Sequence, residues 1–172
     1  MMKITKIKIV DEIIISIIKV YNHRFYWYMR DIVINNKGRY LIKCIYLLLI
    51  KIMDEYHCAF IGTGIGYGAK FASPPILPHG LNGIVINENC IFGENVIIQH
   101  QVTFAGKTNT LGEAVAPKIG NNCMFGAGCK VIGDVNIGNN VKVGANAVVT
   151  KDLPDDCTAV GVPAKIIKER MR

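Results

Sequence analysis

Four histidines are the residues best suited to proton transfer near neutral pH: His23, His57, His79 and His100. His79 stands apart by its setting. It lies between Pro78 and Gly80, where the backbone is constrained on one side and the neighbour on the other is small enough to admit a ligand. The cysteines, Cys44, Cys58, Cys90, Cys123, Cys129 and Cys157, form no CxxC pair, and no Cys/His spacing matches a zinc site. They are expected to be free thiols in a reducing compartment, with Cys90, Cys123 and Cys129 acting as small apolar core residues. No metal is expected. His79 and His100 are 21 residues apart with no third histidine following, which argues against a three-histidine zinc hydrase.

What must position these residues is a stretch that counts in sixes, from Ile86 to Leu153. Aliphatic or aromatic residues lead each unit at Ile86, Phe92, Ile98 and Phe104, then at Ile119, Phe125, Val131, Ile137, Val143 and Val149. A second small or aliphatic residue follows four places later, as at Cys90, Val96, Cys129 and Ala147. Helices repeat every 3.6 residues and ordinary strands every 2, so neither sustains this period. A hexapeptide repeat predicts a parallel β-helix, in which each short strand buries its leading residue against the coils above and below. Three units close one triangular turn, with Gly, Asn and Asp at the corners. A sandwich is disfavoured because its turns would come every 8–12 residues.

Around this core, residues 1–60 are expected to form a helical region. An Ile-rich amphipathic helix spans about 3–20, a second contains Phe25 to Tyr28, and a third runs from Arg39 to Met53. The third presents Leu41, Cys44, Ile45, Leu48, Leu49 and Ile52 on one broad face, read as capping the first coil, with peripheral membrane attachment as the sharper alternative. The β-helix domain covers 61–168, with a tail at 169–172. Between Phe104 and Ile119 the count breaks, and a loop over about 105–118 must project from a corner, a common place for function.

The formal charge is +7, and residues 1–60 carry ten Lys/Arg against five Asp/Glu, which suits an anionic partner or simple solubility. No basic run is dense enough for nucleic acid. Charges interrupt the amino terminus where a signal peptide would be apolar, and the run Cys44 to Ile50 is far too short to span a bilayer, so a cytoplasmic protein is expected, at most at the inner face of the membrane.

Several segments carry a resemblance: His79 to Asn87, Gln101-Val102-Thr103, Pro117-Lys118-Ile119-Gly120, Phe125-Gly126-Ala127-Gly128, Val143-Gly144-Ala145 and Gly161-Val162-Pro163-Ala164-Lys165. In this order they resemble the hexapeptide-repeat acyltransferase superfamily, in its serine acetyltransferase and capsular polysaccharide O-acetyltransferase branch. The resemblance implies an all-β solenoid, a left-handed parallel β-helix, with an N-terminal α-helical appendage. It implies transfer of acetyl from acetyl-CoA to a hydroxyl, in a homotrimer. His79 would be the general base, with Asn82 and His100 near the acceptor and backbone N–H groups around Gly106 at the oxyanion. CoA would run past Gly126, Ala127, Gly144 and Ala145, with Lys165 near a phosphate. Serine acetyltransferases carry an acidic residue before the base, here Pro78, and a second histidine before the Pro-Lys-Ile element, here Ala116. These two departures favour a sugar hydroxyl, in a polysaccharide or lipid-linked glycan, as the expected acceptor. Serine O-acetyl transfer and a non-catalytic scaffold are the alternatives.

Overall fold

A computed structural model describes residues 24–35 and 37–169. The helix expected over 3–20 lies outside them, as do His23 and most of the tail. Helix α1 spans Arg24–Ile34 and α2 spans Tyr40–Ile61. The second helix runs eight residues beyond Met53 and stops where Gly62 takes φ +63°, the left-handed conformation that ends many helices.

Sixteen short strands follow: β1 Gly64–Ile65, β2 Lys70–Phe71, β3 Val85–Ile86, β4 Ile91–Phe92, β5 Ile97–Ile98, β6 Thr103–Ala105, β7 Lys107–Thr108, β8 Ala114–Val115, β9 Lys118–Ile119, β10 Met124–Phe125, β11 Lys130–Ile132, β12 Asn136–Ile137, β13 Lys142–Val143, β14 Val148–Val149, β15 Cys157–Val160 and β16 Lys165–Glu169. All but β7 and β8, which pair only with each other, form three walls. The first is β1-β3-β6-β11-β14, the second β2-β4-β9-β12, and the third β5-β10-β13-β15 closed by β16. Pairing within the walls is parallel except for the antiparallel β15–β16 hairpin end. The three-sided coil is a left-handed parallel β-helix, the reverse of the usual crossover hand.

The leading residues are the core. Ile65, Ile86, Phe104, Val131 and Val149 line one wall, and their equivalents on the others are buried too, apart from half-buried Phe71. The first coil, irregular in sequence, uses Ile65, Phe71 and Leu77 as its leading residues. Cys90, Cys123 and Cys129 are buried free thiols at the small positions, and Cys157 is buried at the next one. Burial pushes the thiols of Cys90 and Cys129 up to about 12 and that of Cys123 to about 11. Rings form a spine through the coils: Phe71 stacks on Phe92 at 4.6 Å, and Phe92, Phe104 and Phe125 meet edge-to-face at 4.8 Å. Trp27 of α1 joins it at 4.9 Å from Phe71. One corner is held by a polar ladder in which Asn95, Asn122, Asn140 and Asp156 adopt positive φ and bond from coil to coil.

The helices cap the first coil, but not with the expected face. Leu41, Ile45, Leu48 and Ile52 are 50–70% exposed, while Tyr46, Ile50 and Met53 turn inward. Helix α2 is apolar nearly all round, so its sequence names no single stripe. The decisive contact is Arg30, 2% exposed. Its guanidinium donates to the Gly66 carbonyl at 2.6 Å and to the Tyr26 hydroxyl at 3.1 Å, anchoring α1 to backbone acceptors of the open coil end.

Candidate active site

The step from the third wall to the first makes one corner of the prism. Six residues separate Ile98 from Phe104, Phe125 from Val131 and Val143 from Val149, but nine separate Leu77 from Ile86. The three extra residues create a turn, and His79 sits on it, exposed. Buried Leu77, Leu81 and Ile84 pin that turn to the core. The Gly80 N–H donates to the Leu77 carbonyl at 3.1 Å, and the Ile84 N–H to the Leu81 carbonyl at 3.0 Å. The Thr63 hydroxyl also donates to the Leu81 carbonyl. Gly80 and Gly83 both have φ +65°, which explains their residue type.

His100 occupies the same corner one coil further on. The Gln101 N–H donates to the Asn82 carbonyl at 2.8 Å, which sets Asn82 directly over His100. The two imidazoles meet edge-to-face, with ring centroids 5.2 Å apart and planes at 86°. Among the described residues no carboxylate pairs with either ring. Thus the structure brings His79, Asn82 and His100 together.

Below them the same corner carries Gly126-Ala127, then Gly144-Ala145. The Gly128 N–H donates to the His100 carbonyl at 3.0 Å and the Asn146 N–H to the Ala127 carbonyl at 2.9 Å, so the column is continuous. Gly126 is required by coil spacing, since a Cβ there would lie 2.6 Å from the Ala145 backbone nitrogen. A Cβ on Gly144 would lie 2.8 Å from Val160 Cγ1. Ala145, by contrast, is exposed. The foot of the column is Gly161 to Lys165: the Val148 N–H donates to the Gly161 carbonyl at 3.0 Å, and Lys165, exposed, pairs with Val160 after the cis Val162–Pro163 bond. At ~4.8 Å per coil, four spacings put this foot about 19 Å from the His79 turn and three put it about 14 Å from His100.

Gly106 does not join this column. It lies at the next corner, across the first wall, where β7 and β8 make an antiparallel hairpin rather than an irregular loop. A Cβ on Gly106 would lie 2.7 Å from the Val115 carbonyl oxygen, so glycine is needed to fold the hairpin back. Asn109 caps its tip, its Oδ1 accepting from the Leu111 and Glu113 N–H groups at 2.9 Å. Ala116 is buried at its base, 4% exposed. Cavities of about 460 and 470 Å³ lie elsewhere, between the helices and the first coil, the first lined by Trp27, Arg30, Lys70 and Ser73 and the second by Lys51, Asp54 and Tyr67. Neither contains an imidazole, and the chemistry of the His79 corner outweighs their depth. Among the described residues no three His, Cys, Asp or Glu side chains converge to hold a metal.

The sequence-level relationships agree with this architecture. Residues 116–151 match the bacterial transferase hexapeptide family (six repeats). A serine acetyltransferase of Synechococcus elongatus is 41% identical over 117 residues, covering 68% of this chain and 47% of the relative. A serine acetyltransferase of Staphylococcus aureus is 41% identical over 110 residues, 64% of this chain and 51% of the relative. Among solved structures, Neisseria gonorrhoeae serine acetyltransferase superposes with TM-score 0.64 at 34% identity, covering 73% of this chain and 47% of that one. A serine acetyltransferase in complex with CoA gives 0.64 at 28% identity, covering 83% and 54%. The chain therefore spans about half the length of the relatives it matches.

These findings overturn the sugar acceptor expected from Pro78 and Ala116. Two substituted positions weigh less than 41% identity to serine acetyltransferases over 110–117 residues. Moreover Ala116 is buried at a different corner, so its identity removes nothing from the His79 corner of its own chain. The repeat domain belongs to the hexapeptide-repeat transferase superfamily.

Proposed function

We propose that this chain is an acetyl-CoA-dependent serine O-acetyltransferase with His79 as general base. The observation that carries the reading is the corner column, with an exposed imidazole at its head and small residues below it, on a scaffold 41% identical to serine acetyltransferases. His79 takes the proton of the acceptor hydroxyl as its oxygen attacks the thioester carbonyl carbon. The C–S bond then breaks, and the proton returns from His79 to the departing thiolate, giving the O-acetyl ester and free CoA thiol. Such a base contributes typically ~10²–10⁴ in rate.

The residues present fit an extended thioester carrier. Ala127 and Ala145 leave the column open, its length of about 19 Å suits a pantetheine arm, and Lys165 stands at the foot for a phosphate. Asn82 and His100 flank the acceptor hydroxyl. In a single chain the column is open to one side, and exposed Val85, Ile91, Met124 and Ile132 leave apolar patches on the walls. We therefore infer a homotrimer in which the Gly106 hairpin of a neighbouring copy covers the column, the only way Gly106 serves this site. A cytoplasmic location is part of the same reading. Contact with an anionic membrane through the exposed apolar face of α2 and its Lys43 and Lys51 is its least constrained element. No described helix is long and apolar enough to cross a membrane.

The test is thiol release from acetyl-CoA with L-serine, with O-acetylserine identified by mass spectrometry and the assembly weighed by light scattering. Serine-dependent release from a species of three times 19.0 kDa is expected. CoA binding without serine turnover contradicts the acceptor, and no CoA binding contradicts the enzyme.

A further inference from the structure

One imidazole has a tautomer dictated by its surroundings. His100 is only partly buried, yet its Nδ1 is shut away from solvent with no hydrogen-bond partner. Its Nε2 makes no side-chain hydrogen bond and, unlike Nδ1, is not sealed in. Neutral imidazole carries one proton, on one nitrogen or the other. A proton on Nδ1 would be a buried N–H donor with no acceptor, a group that folded proteins almost never contain. The stable neutral form therefore places the proton on Nε2, where it can donate outward.

The ring that carries that donor lies at the corner occupied by His79. The rings are 5.2 Å apart, Gln101 ties the segment to Asn82, and the His100 carbonyl is tied to Gly128 below, so the backbone that carries the ring is fixed from both sides. A hydroxyl held at hydrogen-bond distance from His79 places the thioester carbonyl it attacks within reach of a second group about 5 Å from the base, the spacing that base and oxyanion donor require. The backbone N–H groups at Gly106 lie across the first wall and offer no donor to this corner within the chain. We propose that His100, through Nε2–H, is the donor that stabilises the developing charge on the thioester carbonyl oxygen during acyl transfer. This deepens the acetyl-transfer reading and rests on it. The same reading separates the two histidines by role: His79 accepts a proton and His100 keeps one.

The experiment compares wild type, His100→Phe and His100→Gln in steady-state kinetics for both substrates, with melting temperatures measured alongside. Phenylalanine keeps a ring without a donor, and glutamine restores an N–H near the position of Nε2. His100→Phe should lower kcat by about 10²–10³-fold with both KM values within about threefold of wild type, the signature of an interaction made only in the transition state. His100→Gln should recover at least tenfold of that loss. A raised serine KM with unchanged kcat would overturn the role in favour of acceptor binding. Equal losses in both variants with lowered melting temperatures would reduce His100 to packing. The tautomer is read separately, by long-range nitrogen–proton NMR on histidine-labelled protein without substrate, assigned with His100→Gln. A proton on Nε2 is expected, and one on Nδ1 overturns the geometric argument whatever the kinetics. Wild type that transfers no acetyl group while showing the Nε2 proton would instead sink the acyl-transfer reading and the oxyanion role with it.

Discussion

Small residues on the His79 corner look alike in sequence but are small for different reasons, and two substitutions separate them. In Gly126→Ala the new methyl group would sit 2.6 Å from the Ala145 nitrogen, 2.8 Å from the Gly144 carbonyl carbon and 3.0 Å from the Ala145 Cα, all backbone atoms. Ordinary contact needs about 3.5–4.0 Å, so the two coils must part by roughly 1 Å at this corner. Overpacking of this kind costs about 1–3 kcal/mol. For a chain of 172 residues that is a fall in Tm of roughly 2–12 °C. Ala145→Phe places its bulk on an exposed residue, so stability should stay within about 0.5 kcal/mol. It should nevertheless raise the KM for acetyl-CoA at least tenfold by closing the column. Calorimetry and substrate-saturation curves on both variants give the comparison. Gly126→Ala melting with wild type would refute the coil-spacing argument, and unaltered acetyl-CoA saturation in Ala145→Phe would refute the column as the carrier's path.

Three further outcomes follow from the same geometry. Phe92→Ala removes the ring shared by Phe71 and Phe104, both within 4.8 Å, and should cost about 3–5 kcal/mol by urea unfolding; under 1.5 kcal/mol would contradict the aromatic spine. The buried thiols of Cys90, Cys123 and Cys129 have folded-state values above the ordinary 9.0, so they favour folding fully below pH 9 and that contribution is lost as pH rises toward 11–12. Cys129→Ala should flatten the alkaline fall in Tm relative to wild type, and an identical slope would show that the thiol takes no part. Lys165→Ala should raise the KM for acetyl-CoA about threefold to tenfold while leaving kcat unchanged, since a phosphate contact binds ground and transition states alike; no change would return Lys165 to the solvated surface.

The period of six was legible because each leading residue, from Ile86 to Val149, is buried by neighbours on adjacent coils, and burial is what hydrophobic pattern records. The β7–β8 hairpin was not legible as structure: Lys107, Thr108 and Ala114 are exposed, so no apolar alternation marks the strands. Helix α2 showed its existence but not its orientation, because Leu41 and Ile52 are as apolar as the Ile50 and Met53 that pack inward. His79 was visible through Pro78 and Gly80, yet its contact with His100 was hidden by the irregular first coil. Only once Leu77 is identified as a leading residue does the nine-residue step to Ile86 place His79 over the next coil. The sugar acceptor expected from Pro78 and Ala116 fails because two substituted positions say less than 41% identity to serine acetyltransferases over 110–117 residues.

The central claim is that His79 is the base for acetyl transfer to serine, and His79→Ala tests it most directly. Thiol release with L-serine should fall by about 10²–10⁴-fold, with CoA binding by calorimetry and the melting temperature unchanged, because the side chain is exposed on a turn held by other residues. Serine turnover within threefold of wild type in a folded, CoA-binding His79→Ala would contradict the account.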